Sequence, residues 1–275
     1  MDKMKCSRCS KDAVVHLKYS NQRLCKEHFC RLTERRIKRN IGRDELFNKD
    51  DKVVVAVSGE ESSIVLLRFL KNFSEKLPME LFGIVVDEGI RGYSERAIEI
   101  AKKNFKELGV DYKIVSLKKE IGKSIDDIAK KDMKEVCSNC SIFKRRLLNN
   151  AARELKADKI ATAHNLDDEV QSIVLNYMQR DVAGMVRIGS KSLVMKGFVQ
   201  EVKPLCIVPE KEIELYATLK NYKFHSAECP YFKRSFRADI KKHLNELEAE
   251  HAGIKFSSLK GAEPLNSILE KRYVE

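Results

Sequence analysis

The sequence predicts an α/β fold: a doubly wound, mostly parallel sheet with a small N-terminal module and a helical C-terminal extension. Three observations predict it. Short β-branched runs alternate with amphipathic stretches of helical spacing through the middle of the chain, the pattern of crossover units on a parallel sheet. The first run, Val53–Val57, breaks at Ser58-Gly59 into a helical segment, so strand, tight loop and helix N-terminus follow one another. Two short pairs of metal-ligand residues, Cys6 with Cys9 and Cys25 with His28, precede all of this.

The module comes first in the chain. C-S-R-C and C-K-E-H are separated by 15 residues, the spacing of a zinc ribbon, in which each pair grips one side of a tetrahedral ion. The intervening AVVHLKYSNQRL reads as a hairpin, and His16 and Cys30 fall outside the ligand spacing. A basic helix, RLTERRIKRNIGR, follows with Arg35, Arg36, Lys38, Arg39 and Arg43. The chain of 275 residues carries a net charge of +12, and Met1–Asn48 alone holds 13 Lys and Arg against 6 Asp and Glu. Charge so concentrated points to a polyanion, and the basic helix is expected to meet phosphate backbone.

The central part reads as strands at Val53–Val57, Leu81–Val86, Tyr112–Leu117 and Lys159–Ala163. Helices are expected at Ser63–Lys76, Tyr93–Leu108, Ile142–Lys156 and Leu166–Arg180. Ligands of such sheets bind at the carboxyl ends of the strands. The first end is Ser58-Gly59-Glu60-Glu61-Ser62-Ser63, where free N–H groups and the positive end of a helix suit phosphate. The loop is not a Walker A sequence. The second end carries Asp87 and Gly89, and the fourth carries His164, Asn165, Asp167 and Asp168. Each alone has the residues of an ordinary helix cap. Three at one rim predict a site.

Between the third and fourth strands lies C-S-N-C, Cys137 and Cys140, with Lys144 just beyond. Such a pair is a redox dithiol, half of a metal site, or two buried thiols. Cys229 joining them in space would make a three-thiolate site, which suits an iron–sulfur cluster with one open iron better than closed zinc. The segment from Ser235 reads as an amphipathic helix, and the stretch after it shows no period. The organisation expected is residues 1–48 as zinc ribbon and basic helix, 49–205 as the nucleotide-binding-like domain, and 206–275 as a helical region bearing the third cysteine. No run reaches the ~18 apolar residues of a membrane span. With no secretory h-region at its start, the chain is expected in the cytoplasm, where cysteines serve as metal ligands rather than disulfides.

Assembled, these residues resemble the 2-thiouridine synthetase group of PP-loop ATP pyrophosphatases. The marks are the two N-terminal ligand pairs, VVDEGIRGYSE at Val85–Glu95, CSNC, HNLDDEVQ at His164–Gln171, KPLCIVPEKEIELYA at Lys203–Ala217, and ECPY at Glu228–Tyr231. The resemblance implies ATP-dependent adenylation of the C2 oxygen of a tRNA uridine, then attack by sulfide and loss of AMP. It implies a [4Fe–4S] cluster on Cys137, Cys140 and Cys229, Zn2+ on Cys6, Cys9, Cys25 and His28, and ATP with Mg2+ about Ser58, Gly59, Ser63, Asp87, Gly89, His164 and Asp167. Lys144 and Asp168 match the groups near the reacting base. A homodimer, and a sulfur-carrier protein as donor, are the implied partners beside tRNA.

The sequence also departs from that pattern. The family's S-G-G-K-D-S loop has lost its second glycine, lysine and aspartate to Glu60, Glu61 and Ser62, and no cysteine follows Cys229 to build a second zinc module. Two unit charges 4 Å apart interact by about 4 kcal/mol at an effective dielectric near 20, so exchanging lysine for glutamate beside phosphate predicts weakened ATP binding. A second reading therefore stands beside the enzyme: a non-catalytic or repurposed paralogue that binds tRNA or a cluster and uses ATP weakly or not at all.

Overall fold

The computed structural model describes residues 4–133, 135–194 and 196–274. Its N-terminal hairpin, β1 (Val15–Leu17) and β2 (Gln22–Leu24), turns at Asn21 in the left-handed region and runs into helix α1 (Lys26–Arg43). The sheet strands are β3 (Lys52–Ala56), β4 (Glu80–Asp87), β5 (Asp111–Ser116), β6 (Lys159–Ala161) and β7 (Gln200–Val202), in the spatial order β5-β4-β3-β6-β7. Every pairing in it is parallel. The order reverses between β3 and β6, the switch point at which such sheets bind ligands.

Helices cover both faces. They are α2 (Glu61–Ser74), α3 (Ser94–Leu108), α4 (Leu117–Ile121), α5 (Ile125–Lys131), α6 (Val136–Glu154), α7 (Leu166–Gln179), α8 (Val182–Met185), α9 (Glu210–Leu219), α10 (Phe236–Glu250) and α11 (Ile254–Val274). The alternation of β3 explains why its run is apolar throughout. Val53 and Val55 enter a core with Leu66, Phe105 and Ile213, whereas Val54 enters the opposite one with Ile84, Leu117 and Leu147. Phe29 and Ile37 of α1 belong to the first of these cores. The N-terminal module therefore packs as part of the same hydrophobic body as the sheet.

Most element ends shift by one or two residues from expectation, and two differences are larger. Helix α6 begins at Val136 rather than Ile142, so Cys137 and Cys140 lie on it and not in a loop. The aperiodic end forms α11 despite an internal Pro264. Tertiary packing supports it: Leu259 and Ala262 are buried against Leu166 and Val170 of α7.

Candidate active site

At the end of β3 the chain turns through Ser58–Glu60, and Gly59 takes φ +89°. Only glycine fits there, because a Cβ would stand 2.4 Å from the Ala97 carbonyl oxygen. The buried Ser63 ties the turn: its Oγ accepts from Gly59 N–H at 3.1 Å and donates to the Glu60 carbonyl at 2.9 Å. Ser58 Oγ lies 3.2 Å from Ser63 Oγ. The Gly59 carbonyl accepts the His225 N–H at 2.8 Å, which fastens the loop to the segment leading to Cys229. The first N–H groups of α2 have no intrahelical acceptor.

The two glutamates of this loop diverge. Glu60 is the N-cap residue of α2, yet its side chain makes no cap. Instead Oε1 accepts from the Tyr93 hydroxyl at 2.5 Å. Burial pushes the Glu61 carboxyl up, and the charges of Glu60, Glu210 and Glu214 add to that shift. Glu61 thus stands in an acidic neighbourhood where the family has its lysine.

The second strand end is built around Glu88 as much as Asp87. Asp87 Oδ1 accepts from Gly89 N–H at 2.9 Å, and Gly89, at φ +68°, has no room for a Cβ beside Ser124. The buried Glu88 accepts from Ser94 Oγ at 3.2 Å and lies 3.4 Å from Lys144 Nζ. Burial works against the charge on Lys144, but Glu88, then Cys140 and Glu60, hold its ammonium above the usual lysine range. Cys137, Cys140 and Lys144 follow one another at helical spacing on α6, and so share a face. One cation thereby touches the field of the loop, the second strand end and the thiols.

Cys137, Cys140 and Cys229 all pack against the second hydrophobic core. Cys137 Sγ lies 3.7 Å from the Tyr231 carbonyl oxygen, which closes the Cys229 loop onto α6. Burial pushes all three thiols up, Cys140 to about 11. Thiols so placed ionise readily only against a bound cation. Among the described residues, only the N-terminal quartet brings its donor atoms close enough for one bare ion.

The β6 rim is mainly structural. Asn165 and Asp168 form a reciprocal capping box, with Asp168 Oδ2 accepting from Asn165 N–H at 3.0 Å and Asn165 Oδ1 from Asp168 N–H at 3.1 Å. Asp167, expected to face nucleotide, is instead buried between α9 and α11. Its oxygens accept from Glu210 N–H at 2.8 Å and from Lys255 Nζ at 2.5 Å, so the expectation is corrected. The reason is helix geometry: adjacent positions point about 100° apart, and Asp168 holds the rim side. His164 remains exposed, with Nδ1 2.9 Å from Thr162 Oγ1 and 3.4 Å from Glu201 Oε1. Burial opposes the charge on Glu201, yet contacts with His164, Lys203 and Thr162 hold its carboxyl well below the usual range.

The N-terminal quartet has the geometry of a metal centre. Cys9 Sγ lies 3.7 Å from Cys25 Sγ, and His28 Nδ1 lies 3.4 Å from Cys6 Sγ and 3.3 Å from Cys25 Sγ. A tetrahedron with Zn–S bonds of about 2.3 Å has edges of about 3.8 Å, so the donors fit zinc. Arg31, Arg35, Lys38 and Arg39 are exposed on α1 and form no ion pair among the described residues. Arg36 departs from that expectation. It is buried against Glu212 at 3.0 Å and the Tyr19 hydroxyl at 2.8 Å, and is not available to phosphate. Glu88 belongs to the second strand end that the sequence marks, but no local period shows Tyr93, Glu201 or His225 as site residues; Tyr93 lies inside the Val85–Glu95 segment.

Comparison with known proteins places this geometry. Residues 31–248 match the PP-loop domain family, and residues 5–30 match the N-terminal LIM domain of the 2-thiouridine synthetase TtuA. The chain is 34% identical to the tRNA 2-thiolation protein NcsA of Haloferax volcanii, across 98% of this chain and 89% of that one. It is 37% identical to the tRNA-5-methyluridine(54) 2-sulfurtransferase of Pyrococcus horikoshii, across 94% and 81%. The solved U34-tRNA thiolase NcsA of Methanococcus maripaludis, described with its [4Fe-4S] cluster, superposes with a TM-score of 0.85 at 36% identity, over 97% of this chain and 88% of that one.

Proposed function

The chain belongs to the PP-loop family, in its tRNA 2-thiouridine synthetase group, and from that premise we propose that it is an ATP-dependent tRNA sulfurtransferase that replaces the C2 oxygen of a uridine by sulfur. The observation that carries the reading is Lys144, whose Nζ lies 3.4 Å from the buried Glu88 of the second strand end and which shares a face of α6 with Cys137 and Cys140. A nucleotide over the loop and sulfur at the thiols would then meet at one cation.

The uridine O2 attacks the α-phosphorus of ATP and the bond to pyrophosphate breaks. Sulfide adds to C2, and the C2–O bond breaks to release AMP. The N–H groups at the start of α2 receive the departing pyrophosphate, with Mg2+ as its counter-ion. Lys144 neutralises negative charge as it develops on the adenylate, the kind of preorganised electrostatic help worth most in a closed site. Asp168, with Oδ2 spent on its cap, offers Oδ1 to the base. Exclusion of water by the apolar wall behind the thiols favours sulfide over hydroxide at C2.

Cys137, Cys140 and Cys229 would hold the [4Fe–4S] cluster. When bound, it supplies an open iron that carries sulfide. Their burial, their common wall and their need for a cation to ionise support that assignment. Cys6, Cys9, Cys25 and His28 would hold zinc in a closed, structural site. The exposed face of α1 would lie on tRNA backbone. A sulfur-carrier protein as donor and a second copy of the chain complete the proposal, and both rest on the family resemblance. Among the described residues no helix is long and apolar enough to cross a membrane.

The paralogue that uses ATP weakly is the competing reading, and Glu60 and Glu61 favour it. Anaerobic incubation of the iron-loaded protein with unmodified tRNA, sulfide and Mg·ATP separates the two. The enzyme yields 2-thiouridine and AMP together; a paralogue yields neither.

A further inference from the structure

We propose that Tyr93 is a positioning residue that parks the Glu60 carboxylate clear of the phosphate cradle, so that the loop accepts a nucleotide in spite of that glutamate. The inference rests on the ATP-dependent reading above and adds to it the group that makes the altered loop workable.

Glu60 is the N-cap of α2, in the extended conformation of a capping residue. Short acceptor side chains at an N-cap take an N–H of the first turn, and the longer glutamate carboxylate is within reach of the same groups. Those N–H groups are the ones a phosphate needs, and the helix dipole draws any free carboxylate toward them. Left to itself Glu60 would compete with nucleotide for its own binding site. In the structure it does not: Oε1 accepts from the Tyr93 hydroxyl at 2.5 Å, and Ser58 Oγ donates to Oε2 at 3.4 Å.

The holder is itself held. Tyr93 stands at the N-terminus of α3, where the turn after β4 places it opposite the loop. The edge of its ring meets the His225 ring at 5.0 Å between centroids, and the His225 N–H donates to the Gly59 carbonyl at 2.8 Å. Gly59 in turn lies against the Ala97 carbonyl of the same helix. Phenol, loop and the segment leading to Cys229 thus brace one another, and the hydroxyl reaches Glu60 without a mobile element between them. Burial and the charge of Glu60 keep the phenol protonated, as a donor must be. His225 Nε2 is buried without a hydrogen-bond partner among the described residues. The ring therefore serves as a wall for Tyr93 rather than as a polar contact.

Calorimetric titration of the full-length protein with Mg·ATP tests this through a double-mutant cycle. Tyr93→Phe should weaken binding by about tenfold, whereas in a Glu60→Gly background the same change should alter it less than about twofold. Equal weakening in both backgrounds, or none in either, overturns the proposal, since a merely structural tyrosine would act regardless of residue 60. Glu60→Gly alone provides the check that does not depend on Tyr93→Phe folding: a parked carboxylate predicts a change of less than about threefold. Tightening well beyond that shows Glu60 already in the cradle and overturns it. If neither the unaltered protein nor Glu60→Gly binds Mg·ATP, the ATP-dependent reading fails and the parking role with it. If the unaltered protein binds and Tyr93→Phe is silent, only the parking role fails.

Discussion

Lys144 Nζ lies 3.4 Å from Glu88 Oε1, and this pair joins the nucleotide side of the site to its thiol side. Replacing Lys144 by Met should cut single-turnover thiolation by at least about a hundredfold, the scale of losing one preorganised charge partner. Glu88 would be left buried without its cation. Because Lys144 is 41% exposed, the destabilisation should be only about 1 kcal/mol, as for a solvent-screened pair. Chemical denaturation measures the second effect separately from the first.

Nucleotide binding should strengthen on mild acidification. The Glu61 carboxyl is raised by burial and by Glu60, Glu210 and Glu214. A raised carboxyl contributes stability that is full below its unfolded pKa and is lost as pH rises through its folded value. The same protonation removes a negative charge from beside the phosphates. Mg·ATP affinity should therefore rise as pH falls through the raised Glu61 carboxyl, above the ordinary carboxylate range. Glu61→Gln should flatten that dependence. A pH-independent affinity in the unaltered protein contradicts the assignment.

Restoring the loop should help mostly through residue 61. Glycine at 60, lysine at 61 and aspartate at 62 together should tighten Mg·ATP by at least about tenfold, since a cation then replaces a carboxylate beside phosphate. Micromolar binding by the unaltered protein, with no gain on restoration, would show the loop unimpaired.

The basic helix divides into two roles that mutation separates. Charge reversal of Arg35, Lys38 and Arg39 should weaken tRNA binding and lower its salt slope by about one for every phosphate no longer neutralised. Arg36→Met should instead destabilise the fold by about 3 kcal/mol, because it strands Glu212 in a buried pair in which the side chains are 15% and 7% exposed. Filter binding across a salt series and thermal melting distinguish them.

How much was legible follows from range. β3 to β6 were readable because β-branched runs and helical periods are local. The N-terminal Cys/His quartet was readable because its two pairs have a fixed spacing. Arg36 looked like its exposed neighbours because its partner Glu212 is 176 residues away and no local period announces it. Asp167 and Asp168 could not be told apart without knowing which side of α7 meets α11. The start of α6 was missed because Cys-Ser-Asn are poor helix formers and Glu135 caps nothing with its side chain. α11 was missed because Gly261 and Pro264 interrupt it and its burial comes from α7, not from its own pattern.

If this chain adenylates a uridine before sulfur arrives, the fate of one oxygen records it. Unmodified tRNA carrying heavy oxygen at uridine C2 is incubated anaerobically with the iron-loaded protein, Mg·ATP and sulfide, and the nucleosides and nucleotides are read by mass spectrometry. 2-Thiouridine should form in equal amount to AMP, with the heavy oxygen in the AMP, and neither product should form when ATP is omitted. Thiolation without ATP, heavy oxygen missing from AMP, or no 2-thiouridine from the unaltered protein would contradict it.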